Sequence, residues 1–139
     1  MSKINQATKL NPMRALSIRQ PWAWMILHAG KTLENRPRRT HIRETILIHA
    51  SKGMTTREYL DAMTFWENIG IPAGARVPQF WEFELGGIVG QVDIVDCVQE
   101  SNSPWFTGPF GYVLTNPKVL PFRPCRGQLG FFTPKFESP

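Results

Sequence analysis

The longest strand signal in the chain is Gly86 to Val98, which reads Gly-Gly-Ile-Val-Gly-Gln-Val-Asp-Ile-Val-Asp-Cys-Val. Val92 and Ile94 alternate with Gln91, Asp93 and Val95, so one face is apolar, and the glycines at its start permit a bulge or tight curvature. Every other strand signal is short. Arg14 to Ile18 alternates, Lys31 to Arg36 can run extended up to Pro37, and Thr45 to Ala50 is β-branched and apolar until it ends at Ser51-Lys52-Gly53. Gly111 to Thr115, Val119 to Phe122 and Gln128 to Phe132 read as three more, separated by turns at Asn116-Pro117 and Arg126-Gly127.

Two helices interrupt this pattern. The first starts at Gln20-Pro21, with proline at the first helical position, and Gly30 ends it near Ala29. Trp22, Met25, Ile26 and Ala29 share one face, while Trp24 and His28 lie opposite at i,i+4 spacing, facing either a groove or a second buried surface. The second starts at a capping box, Thr55-x-x-Glu58, and repeats Tyr59, Ala62, Met63 and Trp66 up to Gly70. About six strands in mostly hairpin connection with two or more short helices predict an α+β fold, a small curved or closed β-sheet decorated by helices.

At 139 residues the chain has room for one compact domain. We expect a disordered leader over 1–13, the domain over 14–133 and a tail over 134–139. Met1 to Pro12 is polar, no apolar run approaches membrane-spanning length, and Cys97 and Cys125 match no metal-ligand spacing. A reduced cytoplasmic monomer without metal or cofactor is the expectation.

The net charge of +5 is unevenly spread: residues 1–57 carry +9, residues 58–100 carry −7 and residues 101–139 carry +3. Folded onto one face, the first third makes a positive patch that suits an anionic partner; otherwise the charge is scattered over a solvated surface. Glycine-rich phosphate loops, dinucleotide-binding turns, Gly-x-Ser-x-Gly and His-Glu-x-x-His are all absent.

Polar residues gather instead at the ends of predicted elements: Gln20, then Lys31, Glu34 and Arg36, then His49, Ser51 and Lys52. Glu34 and Arg36 share a face at period two, which serves either phosphate contact with a carboxylate holding the cations, or an ordinary ion pair. His49 reads either as a hydrogen-bonded core histidine or as a proton carrier. Ser51-Lys52-Gly53 offers amides and an ammonium to an anion, or is a plain strand-to-helix loop. Trp22, Trp24, and Trp105 with Phe106 in Ser103-Pro104-Trp105-Phe106, are candidates to stack on unpaired bases.

Leu16-Ser17-Ile18-Arg19-Gln20-Pro21-Trp22-Ala23 followed by Gly30-Lys31-x-x-Glu34-Asn35-Arg36 resembles the signature of the ASCH domain (activating signal cointegrator homology), a branch of the PUA-like superfamily. The resemblance continues through Leu47 to Lys52, Gly86 to Gly90 with Asp93 to Cys97, Ser103 to Tyr112 and Pro121 to Phe131, and is to the small single-domain bacterial and phage members. It implies a PUA-like β-barrel with a cleft beside the first helix that binds RNA or another single-stranded nucleic acid. The motif residues that carry over are Gln20, Lys31, Glu34, Arg36 and the Ser51-Lys52 pair. Some members cleave RNA or deacylate N4-acetylcytidine. The deacylating subgroup has a nucleophilic Thr three residues after the motif Lys, and this chain has Glu34 there.

Three functions follow as expectations. The first is RNA binding, with a metal-independent ribonuclease version in which Lys31 and Lys52 stabilise phosphoryl charge, His49 or Glu34 moves the 2′-hydroxyl proton and Arg36 positions phosphate. The second is an amidohydrolase acting on an N4-acylated cytidine nucleoside through Lys31 and Glu34. The third is a non-enzymatic reader of a modified base, with Gln20, Trp22, Trp24, Ser103 and Trp105 around the ligand. Under each, Lys31, Arg36 and Lys52 are expected to matter more than Lys3, Lys9 or Lys135.

Overall fold

The computed structural model describes residues 12–136. The elements run β1 (Ala15–Ile18), α1 (Trp22–His28), β2 (Leu33–Arg36), β3 (Thr45–Ala50), α2 (Thr56–Ile69), a single 3-10 turn (Phe80–Glu82), β4 (Gly87–Val98), β5 (Phe110–Pro124) and β6 (Phe131–Phe132). The expected leader lies outside the described residues up to position 11, and residues 12 and 13 carry no helix or strand.

One six-stranded sheet takes the order β2-β5-β4-β3-β1-β6. β1 lies parallel to β3, with Ser17 opposite His49 and Ile18 opposite Ala50. The other pairings are antiparallel. The sheet curls strongly. β5 and β6 stand four places apart, which in a flat sheet is about 19 Å, yet the rings of Tyr112 and Phe131 stack at 6.1 Å. Register shifts between Ile48 and His49 and at three places along the β4–β5 ladder accompany this bending. The result is the PUA-like half-barrel, with β2 and β6 at its two edges.

Three expectations need correction. Pro21 is the N-cap of α1 rather than its first residue, and the helix is seven residues long, shorter than the expected two and a half turns. Val119 to Phe122 is not a separate strand: β5 runs on from Phe110 to Pro124, because Asn116, with φ 55°, lets the chain kink within the ladder while Lys118 and Val119 resume pairing with Gln91 and Gly90. The strand expected over Gln128 to Phe132 shrinks to Phe131 and Phe132.

Inside the curl, Leu16, Ile18, Ile48, Val92, Ile94 and Leu114 form the main core. A second core, between α1, α2 and the 103–106 loop, holds Met25, Leu33, Ala62, Trp66 and Trp105. Helix α1 is therefore buried on two sides, Ala23 and Ile26 against the sheet and Met25 against α2, with Trp22 between them. The capping box of α2 forms as the sequence predicts, and Glu58 also accepts both a 2.9 Å and a 2.5 Å hydrogen bond from Arg19. β4 approaches α1 closely at Gly90, where an added Cβ would lie 2.6 Å from Leu27 and 2.7 Å from the Lys118 carbonyl.

Two stability predictions follow from this packing. Gly90→Ala should cost about 1–3 kcal/mol through overpacking, measured as a lower denaturation midpoint with the fold retained. The bonds from Arg19, with that from the Thr55 amide, hold Glu58 down to about 2 from the ordinary 4.5. A depressed carboxyl pKa stabilises the fold above the unfolded value, so wild type should exceed Glu58→Gln in stability at neutral pH. Urea denaturation across the acid range should show that advantage fading as pH falls from about 4.5 to about 2.

Candidate nucleic-acid interface

The motif residues of the Gly30-to-Arg36 segment come together, but in the interior. Gly30, at φ 72°, ends α1 and turns the chain so that Lys31 points back under it. Lys31 Nζ donates to the Leu33 carbonyl and, at 3.0 Å, to Glu34 Oε1. Arg36 Nε donates to the other oxygen, Glu34 Oε2, also at 3.0 Å. Lys31 is 3% and Glu34 8% exposed. The shared face expected for Glu34 and Arg36 is present, while the expected presentation of Lys31 to a phosphate is not, because its ammonium is enclosed and already satisfied.

From this clamp a chain of polar contacts crosses to β1 and β3. Arg36 Nη2 donates to the Ser17 carbonyl at 2.7 Å. Ser17 Oγ lies 2.9 Å from His49 Nδ1, and His49 Nε2 lies 2.8 Å from the Cys125 carbonyl. A carbonyl only accepts, so Nε2 carries the proton and the Ser17 hydroxyl donates to Nδ1. His49 is 2% exposed and both its nitrogens are engaged. It ties the segment after β5 to the sheet. Gly127 completes the tie, since a Cβ there would lie 2.6 Å from Ser17 Oγ and 2.7 Å from the His49 ring.

That tied segment forms one wall of the larger cleft, about 1300 Å³ in volume. Ser51 and Lys52, just after β3, line it too, with Ser17, His49, Leu85 and Gly86, and the Cys125 amide donates to the Gly86 carbonyl at 3.2 Å. Arg123, Arg126, Gln128 and Lys135 also line it, and no carboxylate does among the described residues. Arg123 packs flat on Phe136, 3.5 Å from ring centre to guanidinium carbon, so residues expected as a free tail turn back onto the site. Burial raises the Cys125 thiol above its ordinary pKa, which keeps it protonated rather than nucleophilic.

The charge expectation is overturned by pairing. Arg14, Arg19, Lys31, Arg36, Arg43 and Arg57 of the basic first third each contact a carboxylate, three of them in the acidic middle third. Among the described residues, Arg38, Arg39, Lys52, Lys118, Arg123, Arg126 and Lys135 have no carboxylate partner, and Lys52, Arg123, Arg126 and Lys135 are the four of these that line the cleft. Three of these four come from the last third, which carries the smaller charge excess. Lys135, expected to matter little, lines the cleft.

A smaller groove of about 360 Å³ lies beside α1, lined by Gln20, Trp24, His28, Phe83 and Glu84 among others. Gln20 is buried and spends both ends of its amide on backbone, accepting from Trp24 N and donating to the Glu84 carbonyl. Trp24 stacks on His28 at 5.0 Å and also meets Trp66 and Phe83, so the groove and the buried surface expected for it are both present. Desolvation lowers the His28 pKa, which favours the neutral ring.

The other expected ligand contacts fall elsewhere. Trp105 is buried in the second core, and Trp22 packs edge-on against Phe65, so neither presents a face for stacking. Ser103 caps its own loop by accepting from Trp105 N. Lys31, Glu34 and Arg36 line neither cleft. Sequence reasoning missed Ser17, Arg123, Arg126, Gln128 and Lys135. The signal available for two of them was Arg-Pro-Cys-Arg-Gly at 123–127, a basic run read only for its turn.

Among the described residues no helix is long and apolar enough to cross a membrane, and no three His, Cys, Asp or Glu side chains are grouped as a metal site requires. The family model of the ASCH domain matches residues 16–108, more than half of the chain, and the chain belongs to that family. No curated protein matches it.

Removing one member of the interior clamp tests its structural role. Lys31→Met should leave Glu34 with a single cationic partner and lower stability by about 3–5 kcal/mol, as breaking a buried pair does. Chemical denaturation reads this directly, and a loss under about 1 kcal/mol would place the pair in the range of exposed surface bridges.

Proposed function

We propose that this ASCH domain binds single-stranded RNA in the larger cleft, with Lys52, Arg123, Arg126 and Lys135 on the phosphates. The observation that carries the reading is the charge of that cleft: four cations without carboxylate partners among the described residues, and no carboxylate in its described lining. ASCH domains are PUA-like and generally bind RNA, and unpaired cations on a concave wall supply the counterion-releasing contacts such binding needs. Ser51 and Gln128 add neutral donors and acceptors within reach of sugar or base edges.

Binding is the function proposed, without bond cleavage. The ribonuclease version asks His49 to exchange a proton with the 2′-hydroxyl, and the amidohydrolase version asks Lys31 and Glu34 to work on a nucleoside. Enclosure of all three side chains, with their polar atoms already engaged, favours structural roles.

Fluorescence anisotropy with a labelled oligouridine, run as a salt series, tests the reading. Lys52→Ala and Arg126→Ala should each weaken binding and reduce the salt slope by about 0.7 per lost phosphate contact. Arg57→Ala removes an equal charge from an exposed pair with Asp61 and should leave affinity nearly unchanged. Equal weakening by all three would show attraction to net charge rather than to the cleft.

A further inference from the structure

Trp81 is the most exposed tryptophan in the described chain, at 78%, and the segment holding it is not loose. It occupies the middle of the 3-10 turn Phe80–Glu82, which has its own capping box between Gln79 and Glu82. Phe80 meets Tyr59 edge-on at 5.7 Å, and Phe83 is buried against Tyr59 and Trp24. The Tyr59 hydroxyl donates to the Pro78 carbonyl, and Arg76 pairs with Glu82. Aromatic residues on both sides are anchored in the fold while the indole between them faces water, so it is displayed on a fixed base.

The same segment leads directly to the cationic cleft. The Glu84 carbonyl is held by Gln20, and Leu85 and Gly86 line the cleft wall next to Lys52. Leu85 is four positions beyond Trp81, a span of at most about 14 Å even when fully extended. Near the indole the charge is mixed: Arg76 is paired with Glu82, and Glu84 lines the smaller groove beside them. A polyanion would keep its phosphates among Lys52, Arg123 and Arg126 and bring only an uncharged, planar group toward Trp81.

We propose that Trp81 is a stacking platform for one unpaired nucleobase of an RNA strand whose phosphates occupy the cleft. This rests on the reading of the cleft as an RNA site. Stacking on an indole is tolerant of base identity, so the platform would add affinity for unpaired over paired strands rather than sequence preference.

The test compares two labelled probes of about ten nucleotides, an oligouridine and the same backbone with abasic residues, against wild type, Trp81→Ala and Trp81→Phe. The exposed side chain makes these substitutions safe for folding, and an unchanged thermal midpoint verifies it. Wild type should prefer the base-bearing probe. Trp81→Ala should bind it about tenfold more weakly while binding the abasic probe as wild type does, and Trp81→Phe should restore most of the difference. If wild type binds both probes and Trp81→Ala is indistinguishable from it, the platform is overturned and the cleft stands. A loss of equal size on both probes also overturns stacking, since an abasic strand has nothing to stack. Wild type binding neither probe overturns the cleft reading, and the platform with it.

Discussion

Glu34, held between Lys31 and Arg36, is the contact on which the shape of this protein depends. β2 and β6 are the two edges of the sheet, and no ladder joins them. The guanidinium of Arg36 instead spans the gap from β2 to the Ser17 carbonyl on β1, and Glu34 and Lys31 fix the angle from which it reaches. A charged triad in a protein interior is costly to desolvate, and here each member's polar atoms are met by another member or by backbone. The curl of the sheet is thus held at its open side by side chains rather than by main-chain pairing.

From that closure the cleft follows. Ser17 receives Arg36 on its carbonyl and gives its hydroxyl to His49, which grips the segment after β5 at the Cys125 carbonyl. Arg123 and Arg126, on either side of that grip, line the same cleft as Lys52. Of the signature residues, Lys31 and Glu34 are therefore buried away from the cleft, while Ser51 and Lys52 line it, and the other cations lining it come from the far end of the chain. Pairing decides where positive charge remains effective. The first third is rich in arginine, and five of its seven described arginines meet Glu34, Glu44, Glu58, Asp61 or Asp96, leaving Arg38 and Arg39 without a carboxylate.

Much of the fold was legible from local pattern. Thr45 to Ala50, the Thr55–Glu58 capping box and the strand ending at Val98 lie where alternation and capping chemistry put them. Those signals are carried by neighbours in sequence. The continuity of β5 past Asn116-Pro117 was not legible, because only pairing with β4 keeps that kink within a strand. The site was legible in part for the same reason. Element ends pointed to Ser51 and Lys52, and period two put Glu34 and Arg36 on one face. Whether a lysine meets solvent or a buried carboxylate depends on which strands close over it, and no spacing rule contains that information. Trp81 escaped notice because no spacing rule shows that Phe80 and Phe83 pack inward while the indole between them stays exposed.

The strand order also bears on how the molecule is made. β1 has β3 on one side but finds its other neighbour, β6, only near residue 131, and β2 finds its one neighbour, β5, only beyond residue 109. Contacts of such long sequence separation require costly loop closure and slow the search for the native state. During synthesis from the N-terminus, Leu16, Leu33 and the edges beside them remain uncovered until residues beyond 110 have emerged. The chain is most open to misassembly in that interval, and the half-barrel and its basic cleft are completed together once residues 110–136 are available.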